Sequence, residues 1–200
     1  MPKRIYIFEG PSGSGKTTFI KTLSNMGLVK IVTPSVELPR PRAYMDPDNG
    51  IRRSSLKDMI HFWTAFTDQG PLPLAIDRGF ISQLVYSAIR NGEEEIPEVI
   101  GSLRSHLETL SMYLAYDLHF RGMAELPELP RIQYVFYLPL PSVIQSRRDH
   151  ATNRTYAYSA QQEHFLYSET YWKINNLSCY YISDSESEQK FIKGELTDAV

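Results

Sequence analysis

Residues 10–17 read Gly10-Pro11-Ser12-Gly13-Ser14-Gly15-Lys16-Thr17, and this stretch decides the fold because it has the spacing G-x-x-x-x-G-K-T of a phosphate-binding loop. An apolar run over residues 4–8 precedes it and predicts a buried strand, while residues 18–23 continue as the first turns of a helix. Glycines let the backbone fold closely around an anion, with successive N–H groups pointing inward, and the helix N-terminus adds partial positive charge there. A Gly/Ser turn that carries a lysine by coincidence would explain neither the strand nor the helix.

The motif assigns roles to two of its side chains. Lys16 would reach the β- and γ-phosphates of a nucleotide, and the Thr17 hydroxyl would bind Mg²⁺. ATP and Mg²⁺ are therefore the expected ligands. The predicted nucleotide-binding residues are Gly10, Pro11, Ser12, Gly13, Ser14, Gly15, Lys16, Thr17 and Thr18.

Length and charge limit the remaining possibilities. The chain has 200 residues, enough for one sizeable α/β domain, and its formal net charge of −2 gives no general attraction to polyanions. Cys179 is the only cysteine, which excludes an internal disulfide, and its apolar neighbours predict an inert thiol in a buried strand. The sequence shows neither a signal-peptide pattern nor an apolar stretch long enough to span a bilayer, so we expect a cytoplasmic protein without membrane contact.

Strand and helix patterns alternate along the chain. Short apolar runs predict strands at 4–8, 29–33, 73–76, 132–138 and 179–182. Helical patterns are clearest at 16–25, 54–66, 81–90, 96–120 and 160–175. This alternation predicts one domain over residues 1–200, a three-layer α/β fold with a central five-stranded parallel sheet flanked by helices. Ligands bind beyond the carboxyl ends of the strands in such a sheet, so the residues that follow each strand would meet in one cleft.

A second motif, Asp77-Arg78 at the end of an apolar strand, separates the classes of phosphate-loop protein. A motor ATPase usually has Asp-Glu here, with the glutamate polarising an attacking water, whereas an arginine beside the acid favours an anionic substrate. A GTPase would also need an Asn-Lys-x-Asp motif, and the sequence contains none. Phosphoryl transfer is therefore favoured over hydrolytic switching.

These two motifs together resemble the thymidylate kinase family. Phe8-Glu9-Gly10 leads into the loop, and residues 77–86 read Asp-Arg-Gly-Phe-Ile-Ser-Gln-Leu-Val-Tyr. The family pattern, Asp-Arg-aromatic-x-x-Ser-x-x-Ala-Tyr-Gln, is matched at Asp77, Arg78, Ser82 and Tyr86. It is not matched at Gly79, Val85 and Ser87, and Ser12 stands where the family commonly has an acid. Deoxynucleoside kinases are similar, with Glu-Arg-Ser in the second motif, so the resemblance implies a P-loop kinase of one of these two branches.

Asp77 and Arg78 are the catalytic residues that the second motif implies. Asp77 would hold Mg²⁺ through water or orient the acceptor oxygen, and its alternative role is to cap the helix that follows. Arg78 would bind the acceptor phosphate, or the sugar and base if the acceptor is a nucleoside.

Further residues are expected on the acceptor side. Ser82 and Tyr86 are spaced i, i+4, so they share a helix face that either lines the acceptor pocket or packs as a polar seam on a neighbouring helix. The resemblance implies an acid after the second strand, for which Glu37 is the candidate. It also implies an aromatic residue that stacks on the acceptor base, for which Phe62 and Phe66 are the candidates.

A lid is expected at about residues 145–160, where Arg147, Arg148 and Arg154 are concentrated. Ser142 would cap a helix that carries the first two toward the cleft. In similar kinases, lid arginines meet the charge that develops between donor and acceptor. A charged, solvated helix end is the alternative interpretation.

Three functions stay open at this point. The favoured one is ATP-dependent phosphoryl transfer to a nucleoside monophosphate, in particular a deoxynucleotide. A kinase acting on a hydroxyl of a deoxynucleoside or of a modified base in DNA is the second, although a nucleic-acid partner is not favoured. The third is a nucleotide-gated binding module without transferase activity. The helix predicted over 102–120 is long and apolar enough to pair two copies as a homodimer, or to lie buried within its own domain.

Overall fold

A central parallel sheet organises the chain. The computed structural model describes residues 4–32, 70–96, 98–120, 131–151, 156, 158–175, 177 and 179–197, without the side chains of 110, 111 and 113–120. Within these residues five parallel strands form one sheet in the order β2-β3-β1-β4-β5. The strands are β1 (Arg4–Glu9), β2 (Lys30–Ile31), β3 (Leu74–Asp77), β4 (Arg131–Tyr137) and β5 (Cys179–Ile182). The predicted five-stranded parallel sheet is confirmed, with β2 shorter than the apolar run that predicted it.

Helices flank this sheet. Those in the described part of the chain are α1 (Lys16–Asn25), α2 (Phe80–Asn91), α3 (Val99–Phe120), α4 (Pro141–Asp149), α5 (Ala160–Ile174) and α6 (Ser185–Phe191), which continues into a π-helical segment, Ile192–Thr197. The helix predicted over 54–66 lies outside the described residues. Among the helices of the described part, none is both long enough and apolar enough to cross a membrane.

The side chains of β1 alternate between the two faces of the sheet, and helices pack on both faces to form three layers. Ile5 and Ile7 point to one face of the sheet and pack with residues of α2, α3 and α5. Tyr6 and Phe8 point to the other face and pack with α1 and with Phe191 at the end of α6. Because β1 is buried on both faces between its neighbours β3 and β4, the loop that follows it begins from a rigid point at the centre of the sheet.

Gly79, between β3 and α2, is a close approach of backbone to the sheet. A Cβ added there would lie 2.8 Å from Ile7 Cγ2 and 3.2 Å from Glu9 Oε1. A side chain such as the aromatic residue of the thymidylate kinase pattern would therefore fit at this position only if Ile7 shifted.

The start of α4 differs from the expectation. Leu140 is the N-cap residue and Pro141 occupies the first turn, so the prediction that Ser142 caps this helix is wrong. Proline suits the first helical position because its fixed φ is already helical and its missing N–H would have no partner there. The helix nevertheless carries Arg147 and Arg148 in its last turn, as expected.

Candidate active site

The phosphate-binding loop lies between β1 and α1 with the backbone that its glycines predict. Gly10, Gly13 and Gly15 have φ values of 146°, 83° and 103°, a region that favours glycine. Gly15 is the N-cap residue of α1, so the helix begins at Lys16. The free N–H groups of this helix start therefore point toward the loop, as an anion site requires.

Lys16 is almost completely buried within this loop. Its side chain is 4% exposed and its Nζ donates a hydrogen bond to the Pro11 carbonyl at 3.2 Å. Burial, and then the nearby positive charge of Arg78, lower the pKa of Lys16 to about 7. A bound phosphate would favour the charged form of Lys16 and so raise its pKa again.

Thr17 and Asp77 form the part of the site that fits a divalent cation. The Thr17 hydroxyl donates to Asp77 Oδ2, which brings together the ends of two elements that are 60 residues apart. Within the described part of the chain, the buried Asp77 Oδ1 has no hydrogen-bond partner, and neither has the buried Ser14 hydroxyl. Mg²⁺ prefers oxygen ligands and usually takes only one or two from the protein, with the rest from phosphates and water. Thr17 and Asp77 therefore fit the ion, whereas the alternative that Asp77 caps α2 is wrong, since Gly79 is the N-cap residue there.

A cavity of about 580 Å³ opens from the loop along α1. Its lining includes Lys16, Thr17, Tyr137, Arg147 and Glu188. Arg147 reaches back over the loop and donates to the Ser14 carbonyl. Tyr137 donates to Glu188. The cavity is large enough for part of a nucleotide, and it places a cation, Arg147, beside the loop.

Arg78 stands at the centre of a hydroxyl cluster on the other side of the loop. Its Nη1 donates to the hydroxyls of Tyr86 at 2.9 Å and Tyr167 at 3.1 Å, and its Nη2 donates to Ser12 Oγ at 3.0 Å. A weaker contact of 3.4 Å joins Nη1 to Ser82. Burial raises the pKa of Tyr86 and of Tyr167, so both hydroxyls stay neutral.

The backbone of Arg78 is also unusual. Its φ of 71° lies in the left-handed region, which is costly for a residue with a Cβ, and its N–H donates to the Phe8 carbonyl at 2.9 Å. Such conformations persist only where the surrounding structure enforces them, and they concentrate at functional sites. Ser82 and Tyr86 share one face of α2 as predicted, and that face meets Arg78 and α5.

Three residues of this site were not singled out from the sequence. Glu9, at the end of β1, accepts from the Gly79 N–H at 2.9 Å and from the Ser82 hydroxyl. Glu163 and Tyr167 belong to α5, where they share the buried face with Leu166. A carboxylate four residues before a tyrosine on the buried face of a helix is a detectable signal, because a buried charge needs a partner.

Several predicted residues cannot be placed. Glu37, Phe62, Phe66 and Arg154 lie outside the described residues, as does part of the predicted lid over 145–160. Their roles stay predictions. Arg147 and Arg148, in contrast, both reach the loop, where Arg147 donates to the Ser14 carbonyl and Arg148 to the Ser12 carbonyl.

Solved structures of other proteins share this fold. Three structures of deoxyadenosine kinase from M. mycoides align over nearly their full length. The structure with bound dATP has a TM-score of 0.51 and 11% identity, over 97% of this chain and 99% of that chain, and the structure with bound dCTP has a TM-score of 0.50 and 9% identity over the same shares. The structure with the products dCMP and a flexible dCDP has a TM-score of 0.50 and 10% identity, over 98% of this chain and 100% of that chain. Protein-family models gave no match, and neither did the sequences of curated proteins. The parallel sheet, its strand order and these neighbours show that the chain has the P-loop NTPase fold.

Proposed function

We propose that the protein is an ATP- and Mg²⁺-dependent kinase that transfers the γ-phosphoryl group of ATP to a nucleoside monophosphate, in particular a deoxynucleotide. One observation carries the proposal. The buried Lys16 and the Thr17–Asp77 contact lie on one side of the loop, and Arg78 adjoins them on the other. A site for a phosphate donor therefore borders a cation that can bind an acceptor.

The donor side would bind the triphosphate through the amides of the loop and through Lys16. Mg²⁺, held by Thr17 and Asp77, would neutralise charge on the phosphates when bound. Arg147 supplies a further positive charge at the same cavity. Positioning and charge stabilisation are what phosphoryl transfer chiefly requires, because little covalent chemistry falls to the protein.

The acceptor side favours an acceptor that is already anionic. In the transfer, an acceptor oxygen forms a bond to the γ-phosphorus as the bond to the bridging oxygen breaks and ADP leaves. A monophosphate oxygen carries no proton to remove, whereas a hydroxyl needs a general base. Of the described carboxylates, Glu9 accepts from Gly79 and Ser82, Glu163 accepts from Ser12 and Tyr86, and Asp77 accepts from Thr17 where Mg²⁺ would bind. We assign none of the three as a base, and Arg78 offers a guanidinium suited to a phosphate.

A hydroxyl acceptor, as in a deoxynucleoside, is the second candidate. It is favoured by the similarity to deoxyadenosine kinases, although at about 10% identity that similarity reaches only the fold. Glu37 would then be the candidate for the base. A modified base in DNA and a binding module without transferase activity are further outcomes that the same experiment distinguishes.

Incubation with γ-labelled ATP, Mg²⁺ and a panel of acceptors tests the proposal. Deoxynucleoside monophosphates, deoxynucleosides and DNA would be assayed in parallel, with Lys16→Ala as the inactive variant and Lys21→Ala, an exposed lysine of the same helix, as its matched control. We expect label on a monophosphate, lost only in Lys16→Ala. Label on nucleosides or DNA alone would replace the monophosphate with a hydroxyl acceptor. ATP binding without label on any acceptor would favour the binding module.

A further inference from the structure

Ser12, in the middle of the phosphate-binding loop, has all of its polar atoms engaged by side chains from other elements. Its N–H donates to Glu163 Oε2 at 2.8 Å, and its carbonyl accepts from Arg148 Nε at 2.8 Å. Its hydroxyl lies 3.0 Å from both Arg78 Nη2 and the Tyr86 hydroxyl. The peptide group before Ser12 is therefore held by a carboxylate, and the peptide group after it by a guanidinium.

These two charged groups also pair with each other. Arg148 Nη2 lies 2.9 Å from Glu163 Oε1, and the two side chains are 3% and 2% exposed. Arg148 Nη1 donates to the Tyr158 carbonyl at 2.8 Å, and the Tyr156 ring covers the guanidinium at 4.6 Å. Arg148 is thus enclosed by contacts, unlike its exposed neighbour Arg147.

A buried ion pair contributes little to the stability of a folded protein. Apolar residues of the same size usually stabilise a protein as well or better, since they need no desolvation of charge. An apolar pair could not, however, accept from the Ser12 N–H and donate to the Ser12 carbonyl. Pairing also neutralises the Glu163 carboxylate, which would otherwise repel phosphates bound to the loop.

We propose that Glu163 and Arg148 act as positioning residues, a clamp that holds the peptide groups on both sides of Ser12 in the phosphate-binding conformation. This inference rests on the proposed function, because it concerns the loop that would bind ATP. It separates the two arginines of α4. Arg148 hydrogen-bonds to the backbone of the loop, and Arg147 lines the cavity, where it can contact a nucleotide.

A double replacement separates positioning from mere stability. Arg148→Met alone leaves the Glu163 charge buried and unpaired, so its unfolding temperature should fall. Arg148→Met with Glu163→Leu removes both charges and should recover most of that loss. Gln145→Met with Glu169→Leu changes the same two helices away from the loop and serves as the matched control.

Two readouts decide the result. The dissociation constant for Mg-ATP, from calorimetry, should rise about ten- to a hundred-fold in the double variant, as expected for the loss of hydrogen bonds to charged groups. Hydrogen exchange of the segment 9–17, measured without nucleotide, should become faster. A double variant with recovered stability, unchanged Mg-ATP affinity and unchanged exchange would overturn the proposal.

A conservative variant covers the case in which the double variant does not fold. Arg148→Lys keeps a positive charge for Glu163 but loses the Nε that donates to Ser12. Faster exchange over 9–17 with near-normal stability supports the clamp, and unchanged exchange overturns it. Since exchange needs no nucleotide, this test decides on the clamp even if the unmodified protein transfers no phosphoryl group.

Discussion

Binding of ATP should be accompanied by the uptake of a proton by Lys16. The pKa of Lys16 is lowered from 10.5 to about 7, first by burial and then by the charge of Arg78. At pH 8 only about one-tenth of the free protein would carry this proton, by the ordinary titration relation. A phosphate bound to Nζ favours the charged form, so binding at pH 8 should take up about 0.9 proton per site, against about 0.1 at pH 6.

Isothermal titration calorimetry at pH 8, in buffers with different ionisation enthalpies, measures this uptake directly. The slope of the observed binding enthalpy against the buffer ionisation enthalpy gives the number of protons bound. The terminal phosphate of ATP is already ionised at pH 8, so it contributes little. Lys16→Arg, which stays charged, is the control and should bind ATP without proton uptake. A slope near zero in the unmodified protein, or an equal slope in Lys16→Arg, would show that Lys16 takes up no proton when ATP binds.

The same lowered pKa has a consequence for stability, with a defined sign. Between pH 7 and 10.5 the unfolded chain holds this proton and the folded chain does not, so stability from this group rises with pH across that window. Below pH 7 Lys16 is charged in both the folded and the unfolded chain, so burial of the charge lowers the free energy of unfolding by its full amount. Lys16→Met should therefore stabilise the protein most at and below pH 7, with a gain in unfolding temperature that shrinks toward pH 10.5.

Four other substitutions test the remaining parts of the site. Arg78→Ala removes hydrogen bonds to Ser12, Tyr86 and Tyr167. It should raise the acceptor KM about tenfold or more with little change in ATP affinity. A loss of ATP binding instead would place Arg78 on the donor side. Thr17→Val should raise the Mg²⁺ concentration needed for half-maximal transfer, and an unchanged requirement would remove Thr17 from the metal site. Gly79→Ala should lower the unfolding free energy by about 1–3 kcal/mol in denaturant titration, because its Cβ would lie 2.8 Å from Ile7 Cγ2. An unchanged denaturant midpoint of unfolding would contradict that contact. Glu37→Gln should leave transfer to a monophosphate intact, whereas loss of activity on that acceptor would assign Glu37 an essential role there.

Local patterns predicted the fold well, because the fold depends on local chemistry. The glycines of the loop require positive φ, and the strand before it and the helix after it have distinct hydrophobic periods. The alternation of β1, with Ile5 and Ile7 on one face and Tyr6 and Phe8 on the other, is also set by local sequence. The parallel arrangement of the strands follows from the βαβ units, whereas their order in the sheet was not predicted from the sequence.

The surroundings of the site were less predictable, since they depend on contacts between distant parts of the chain. Ser12 and Glu163 are 151 residues apart, and no local pattern connects them. Ser142 has a good capping side chain, but Pro141 beside it takes the first turn of α4 and moves the cap to Leu140. Asp77 could have been a helix cap on sequence grounds, and its contact with Thr17 depends on the pairing of β3 with β1.

A crystal structure with Mg²⁺ and a non-hydrolysable ATP analogue would show whether the loop binds the phosphates. We expect the β- and γ-phosphates to lie against backbone N–H groups of the loop and Lys16 Nζ, with the ion between the phosphates, Thr17 and Asp77. An analogue bound elsewhere, with Lys16 still directed at the Pro11 carbonyl, would contradict this expectation.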